Sequence, residues 1–141
     1  MKKILAIIGI VILILAGGLA VSYNGLAGSR ESVETAQADV DTMLQRRADL
    51  IPNLVSIVKS YAKHETEVFD KVLEARSQLM DAYTMEEKAE ADQQVESALN
   101  GLKVVVENYP ELKSDTTYVS LMDELSGSEN RISVARKDYN D

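Results

Sequence analysis

The sequence has no cysteine and no tryptophan, one phenylalanine, one histidine and two prolines in 141 residues. Without cysteine there is no disulfide framework, no thiolate metal site and no cysteine nucleophile. His64-Glu65 begins like the zincin helix motif, but position 68 is Val68 and the second histidine is missing. A single histidine cannot complete a catalytic zinc site, nor a bundle di-iron site, which needs Glu-x-x-His on two helices. Ser56, Ser60 and Ser77 stand in helical stretches without a glycine-rich elbow, and no phosphate-cradling glycine loop occurs. No catalytic residue, metal or cofactor is therefore expected, and the chain does not read as an enzyme.

The remaining scarcities bear on architecture. Aromatic residues make up 5% of the chain against 45% hydrophobic residues overall, so the core must be aliphatic and alanine-rich, which suits helix-on-helix packing. Five of the seven glycines precede residue 30, leaving Gly101 and Gly127. A chain so poor in breakers makes long helices. The net charge is −8; beyond Lys2 and Lys3 it is 13 basic against 23 acidic residues, or −10. Nucleic acid is not an expected partner, because it requires a basic face.

One long hydrophobic run is present. Ile4 to Val21 is 18 residues without a charged or polar side chain, long enough to cross a hydrocarbon core of about 30 Å. It predicts an N-terminal transmembrane anchor over residues 1–22, followed by one helical domain over 23–141. Lys2 and Lys3 place the N-terminus in the cytoplasm and the domain outside it, as a single-pass protein of the cell (inner) membrane with the lipid bilayer as partner of Ile4–Val21.

Beyond the junction at Gly25, Gly28 and Ser29, apolar residues recur at helical spacing. A first helix is expected over about 29–48, with Val33, Ala36, Val40, Met43 and Arg47 on one stripe. Asp49 would cap a second helix, with Pro52 in its first turn, running to Tyr83. Thr84-Met-Glu-Glu87 is a capping box opening a third helix over 85–108. Tyr109-Pro110 ends it, and Ser114 or Asp115 caps a last helix in which Tyr118, Leu125, Ile132 and Tyr139 fall seven apart. Glu86 to Gln94 reads as an acidic, flexible stretch. The expected fold is all-α: an antiparallel up-down four-helix bundle following one N-terminal transmembrane helix.

RRADLIPNLVSIVKSYAKHE (46–65), EAR (74–76), YPELKS (109–114) and ELSGSENRISVARKDYND (124–141), preceded by YNGL (23–26), together resemble the LemA family. The resemblance covers the whole of 23–141. It implies a bacterial or archaeal envelope protein with one membrane segment and a helical-bundle domain, and it implies no established enzyme class. Family members continue past the Tyr-Asn-Asp at which this sequence ends.

Within 46–65, Arg46, Arg47, Asp49, Pro52 and Asn53 form the polar centre. Arg47 lies on an apolar stripe, where an unpaired charge is costly. One reading is a structural lock, with Arg47 paired to Glu129 or Asp49 and with Asn130 and Arg131 passing close by on the last helix. The other is a recognition patch in which arginine holds a carboxylate bidentately. His64 is a helix-face or interface residue. Two functions follow. The first is a membrane-anchored scaffold, adaptor or self-assembling module, partnered by copies of itself or by another membrane protein. The alternative is a small-ligand-binding domain with an inter-helix cavity anchored by Arg46 or Arg47.

Overall fold

The computed structural model describes residues 2–140, with side chains described for Leu13, Leu15 and 28–140. The described chain is helical throughout: α1 (Lys2–Tyr61), α2 (Thr66–Asp81), α3 (Met85–Val106), the single turn α4 (Pro110–Lys113) and α5 (Thr116–Asn140). The long helices alternate in direction. α1 packs most extensively against α5, and α2 against α3, with α2 also lying on α1. The core gathers Val40, Leu44, Ile51, Leu54 and Val58 of α1 with Val72 and Leu79 of α2, Val95 and Leu102 of α3, and Leu125 and Ile132 of α5.

The helix ends follow local chemistry. Thr84 Oγ1 accepts from the Glu87 amide at 3.1 Å, while Glu87 Oε2 accepts from the Thr84 and Tyr83 amides at 2.9 Å, so the capping box forms. These bonds hold the Glu87 carboxyl below its ordinary range. Asp115 Oδ1 accepts from the Thr117 and Tyr118 amides and starts α5. The stretch Glu86–Gln94 is not flexible acidic surface; it is the beginning of α3, with Ala91 and Asp92 buried.

Two sequence expectations are corrected. The first concerns the membrane. Among the described residues, no helix is long and apolar enough to cross a membrane, and the bundle does not follow a separate N-terminal transmembrane helix. Most side chains of Ile4–Val21 lie outside the described residues. α1 runs without a boundary through 22–29 into the exposed, charged turn carrying Arg30 and Glu34, so the apolar run does not delimit a helix of its own.

The second correction concerns Pro52, which was expected in the first turn of a second helix capped by Asp49. It lies exposed inside α1, in the part near the helix C-terminus, and the reversal comes at 62–65. An interior proline removes one helix hydrogen bond and costs about 3 kcal/mol. The carbonyl left without its donor is that of Ala48, which is fully buried. Arg76 of α2 supplies the replacement: its Nε donates to the Ala48 oxygen at 2.8 Å. The helix continues because its apolar stripe is unbroken, with Ile51 buried before the proline and Leu54, Val55 and Val58 buried after it. The reversal at 62–65 has no glycine, proline or capping side chain. It is held by the buried Ala62 and by Tyr61, whose hydroxyl donates to Asp115 at 3.0 Å.

A double-mutant cycle checks this account of the proline. Arg76→Leu is expected to destabilise the wild-type chain by about 1–3 kcal/mol, because it leaves a buried carbonyl without a partner. In a Pro52→Ala background, the new backbone amide would restore the helix bond and the loss should shrink by about 1 kcal/mol. Strictly additive denaturation energies would show that the arginine does not stand in for the missing amide.

Candidate functional site

The polar residues read from the sequence lie on more than one face of α1: Arg47 enters the core, whereas Arg46, Asp49, Pro52 and Asn53 are exposed. Arg47 is 1% exposed. Its Nη1 donates to Asp92 Oδ1 of α3 at 2.7 Å. The partner is thus Asp92 and not Glu129 or Asp49. Arg46, next in the chain, points out of the core and pairs with Glu124 of α5. Asp49 is exposed and accepts from Gln45 Nε2 at 2.9 Å on its own helix.

The remaining candidates separate. Pro52 and Asn53 are exposed on α1, and His64 is exposed in the α1–α2 reversal, so Asn53 and His64 are not part of the buried cluster. Glu129, Asn130 and Arg131 are exposed on α5. Glu129 nonetheless lies close enough to act on Asp92. Burial pushes the Asp92 carboxyl above the ordinary aspartate value; Arg47, by charge and hydrogen bond, and Arg136 oppose that shift, and Glu129 adds to it. The buried polar group is therefore Arg47 and Asp92, flanked by Arg136 and Glu129. The Arg47 Nε has no hydrogen-bond partner.

Asp92 and Arg76 escaped sequence reasoning. Asp92 stood in plain view on the stripe Ala91, Val95, Leu99, Leu102, the same signal of a charge among apolar positions that singled out Arg47. Arg76 has no such signal, because its partner is a backbone carbonyl.

Chemically, the cluster is an ion pair closed into a core. Among the described residues no group of histidine, aspartate and glutamate is placed to hold a metal. An open groove of about 750 Å³ runs between α1 and α5, but neither Arg46 nor Arg47 lines it. The ligand-binding alternative required an arginine at the edge of such a space.

This arrangement can be set beside known proteins. The family model described as LemA family matches residues 36–141, which takes in the arginine pair, the proline, Arg76, Asp92 and all of α2 to α5. The chain belongs to the LemA family. The match begins inside α1, so the family pattern describes the bundle and not the apolar N-terminal run. Magnetosome protein MamQ 2 of Paramagnetospirillum magneticum is 27% identical over 148 aligned positions, covering 86% of this chain and 54% of that protein. MamQ of Magnetospirillum gryphiswaldense is 25% identical with the same coverage. Protein LemA of Metamycoplasma hominis is 24% identical, covering 83% of this chain and 54% of its own length. The chain thus spans about half the length of the curated relatives it matches.

The buried pair makes a pH-dependent prediction. The folded-state titration of Asp92 lies above its ordinary value of 3.8. Its ionisation therefore destabilises the fold as pH rises from the unfolded value through the folded one, and this loss is absent below both. Arg47→Met removes the main opposing charge. It is expected to cost about 3–5 kcal/mol at neutral pH, with part of the loss recovered as pH falls towards about 4. Arg47→Met combined with Asp92→Leu should return near to, or above, wild-type stability. Thermal melts across this pH range read both effects. A single variant as stable as wild type at pH 7 would remove the pair from its structural role.

Proposed function

We propose that this LemA-family chain is a membrane-associated helical-bundle protein of the cell envelope that works by holding proteins together, as a scaffold or adaptor or by assembling with itself, and that it catalyses no reaction. One observation carries the reading: the distinctive motif residues are engaged in joining helices. Arg47 is bound to Asp92, Arg46 to Glu124, and the carbonyl freed by Pro52 to Arg76. What the chain offers outward is long helical faces with exposed apolar residues such as Leu73, Val104 and Val134. Helical faces of this kind recognise other helices.

Membrane association is supported by the composition of Ile4–Val21, an apolar run preceded by Lys2 and Lys3. We take the lipid bilayer to be the partner of that run, and a second copy or another membrane protein to be the partner of the bundle. The acidic balance of the sequence favours protein partners over nucleic acid.

Cell fractionation and light scattering test this together. The full chain is expected to sediment with membranes and to resist high-salt washing, whereas a chain without residues 4–21 moves to the supernatant. In mild detergent, light scattering should give a mass above that of one chain, or recovery with a second membrane protein after crosslinking. A full-length chain that stays in the supernatant as a lone monomer would overturn the proposal.

A further inference from the structure

The groove between α1 and α5 has a composition that selects its occupant. Its apolar wall is Ala36 and Met43 of α1 with Val134 and Ala135 of α5, and Val134 remains 55% exposed. Ser32 and Thr35 also line it, but their hydroxyls already donate to the Gly28 and Glu31 carbonyls of their own helix. They bring no free donor to a ligand. The groove is an open trough, not an enclosed cavity. The α1 wall from Gly28 to Met43 is roughly 24 Å long at the helical rise, which matches about four turns of a docked helix.

The charges at its edges are unequal. Glu31, Asp39 and Asp138 line it against a single cation, Arg131. Among the described residues none of these carboxylates has an ion-pair partner, although their neighbours do: Glu34 is paired with Arg30, and Asp41 with Lys88. The Arg131 guanidinium lies back along its own helix over Gly127. A second copy of this chain would bring the same acidic walls and a net charge of −8, and like charges placed face to face oppose docking. An occupant with a basic face and an apolar face satisfies both features.

We propose that the α1–α5 groove is the docking site for a cationic amphipathic helix of a partner protein. The apolar side of that helix packs on Ala36, Met43, Val134 and Ala135, and its lysines or arginines meet Glu31, Asp39 and Asp138. This deepens, and rests on, the reading of the chain as an interaction module.

The cysteine-free sequence allows a direct test on the full chain. Asn130→Cys at the groove edge carries an environment-sensitive fluorophore. The probe is a synthetic Leu/Lys amphipathic peptide of roughly five helical turns, with a Leu/Glu peptide of the same pattern as control. A saturable emission change is expected with Leu/Lys and none with Leu/Glu. The triple reversal Glu31→Lys, Asp39→Lys, Asp138→Lys should weaken binding by at least about tenfold. The reversal Asp70→Lys, Glu96→Lys, Asp123→Lys, made on exposed residues that do not line the groove, should leave it unchanged. Should the groove triple fail to melt cooperatively, Glu31→Gln, Asp39→Asn, Asp138→Asn takes its place with a smaller loss. Equal weakening by both triples would mean unspecific attraction, and an emission change with protein concentration alone would mean a second copy covers the groove; either overturns the proposal, as does absence of binding. If the peptide fails while the chain still fractionates with membranes and assembles, only the groove assignment falls.

Discussion

A single guanidinium buried in an aliphatic core sets the terms for this bundle. Arg47 is 1% exposed among leucines, isoleucines and valines, and an uncompensated charge in such a place is costlier than any one apolar contact is favourable. Asp92 of α3 answers it at 2.7 Å. Aliphatic side chains tolerate small slips of one helix past another, but an ion pair of that length does not. The pair therefore ties one position of α3 to one position of α1. Glu129 and Arg136 bring α5 into the same electrostatic neighbourhood, so three of the four long helices share one polar centre.

The stretch that carries the family resemblance is, in structural terms, the strip of α1 to which the other helices attach. Arg46 reaches Glu124 of α5, Arg47 reaches Asp92 of α3, and the carbonyl released by Pro52 receives Arg76 of α2. A proline in mid-helix is normally a liability. Here it creates an acceptor on the buried face that an ordinary helix would already have used, and so gives α2 a polar attachment point where the rest of the contact is apolar. Arg46, Arg47 and the carbonyl freed by Pro52 thus each have a partner on a different helix, whereas Asp49 is met by Gln45 of its own helix.

With Arg47 and Asp92 turned inward, the outer faces carry the remaining charged and apolar patches. Those faces differ. The groove along α1 and α5 is acidic at its edges and apolar within, whereas the shallow face between α2 and α3 mixes Lys71 with Glu74 among Ala75, Ala98 and Gly101. Rigid long helices are suited to present such surfaces over a distance, because their geometry does not depend on a partner being bound.

The all-helical character, the capping box at Thr84, the cap at Asp115, the seven-residue rhythm of α5 and the membership of the LemA family were all legible in the residues, since each depends on neighbours a few positions apart. The charge on an apolar stripe also marked Arg47 as buried and paired, but nothing local could name Asp92, 45 residues away. Pro52 was misread for the same reason. Taken with its neighbours alone it marks a helix start; nothing local shows that Arg76, 28 residues from Ala48, takes up the freed carbonyl or that the reversal comes at 62–65. The separate membrane helix failed likewise, because hydrophobicity describes a run of residues and not where a helix stops. The sequence by itself determined which segments are helical and which faces are apolar, as these follow from backbone propensity and periodicity. Tertiary structure alone decided where α1 ends, which charges meet and which groove stays open, because those depend on hydrogen-bond and ion-pair partners that only the folded chain brings together.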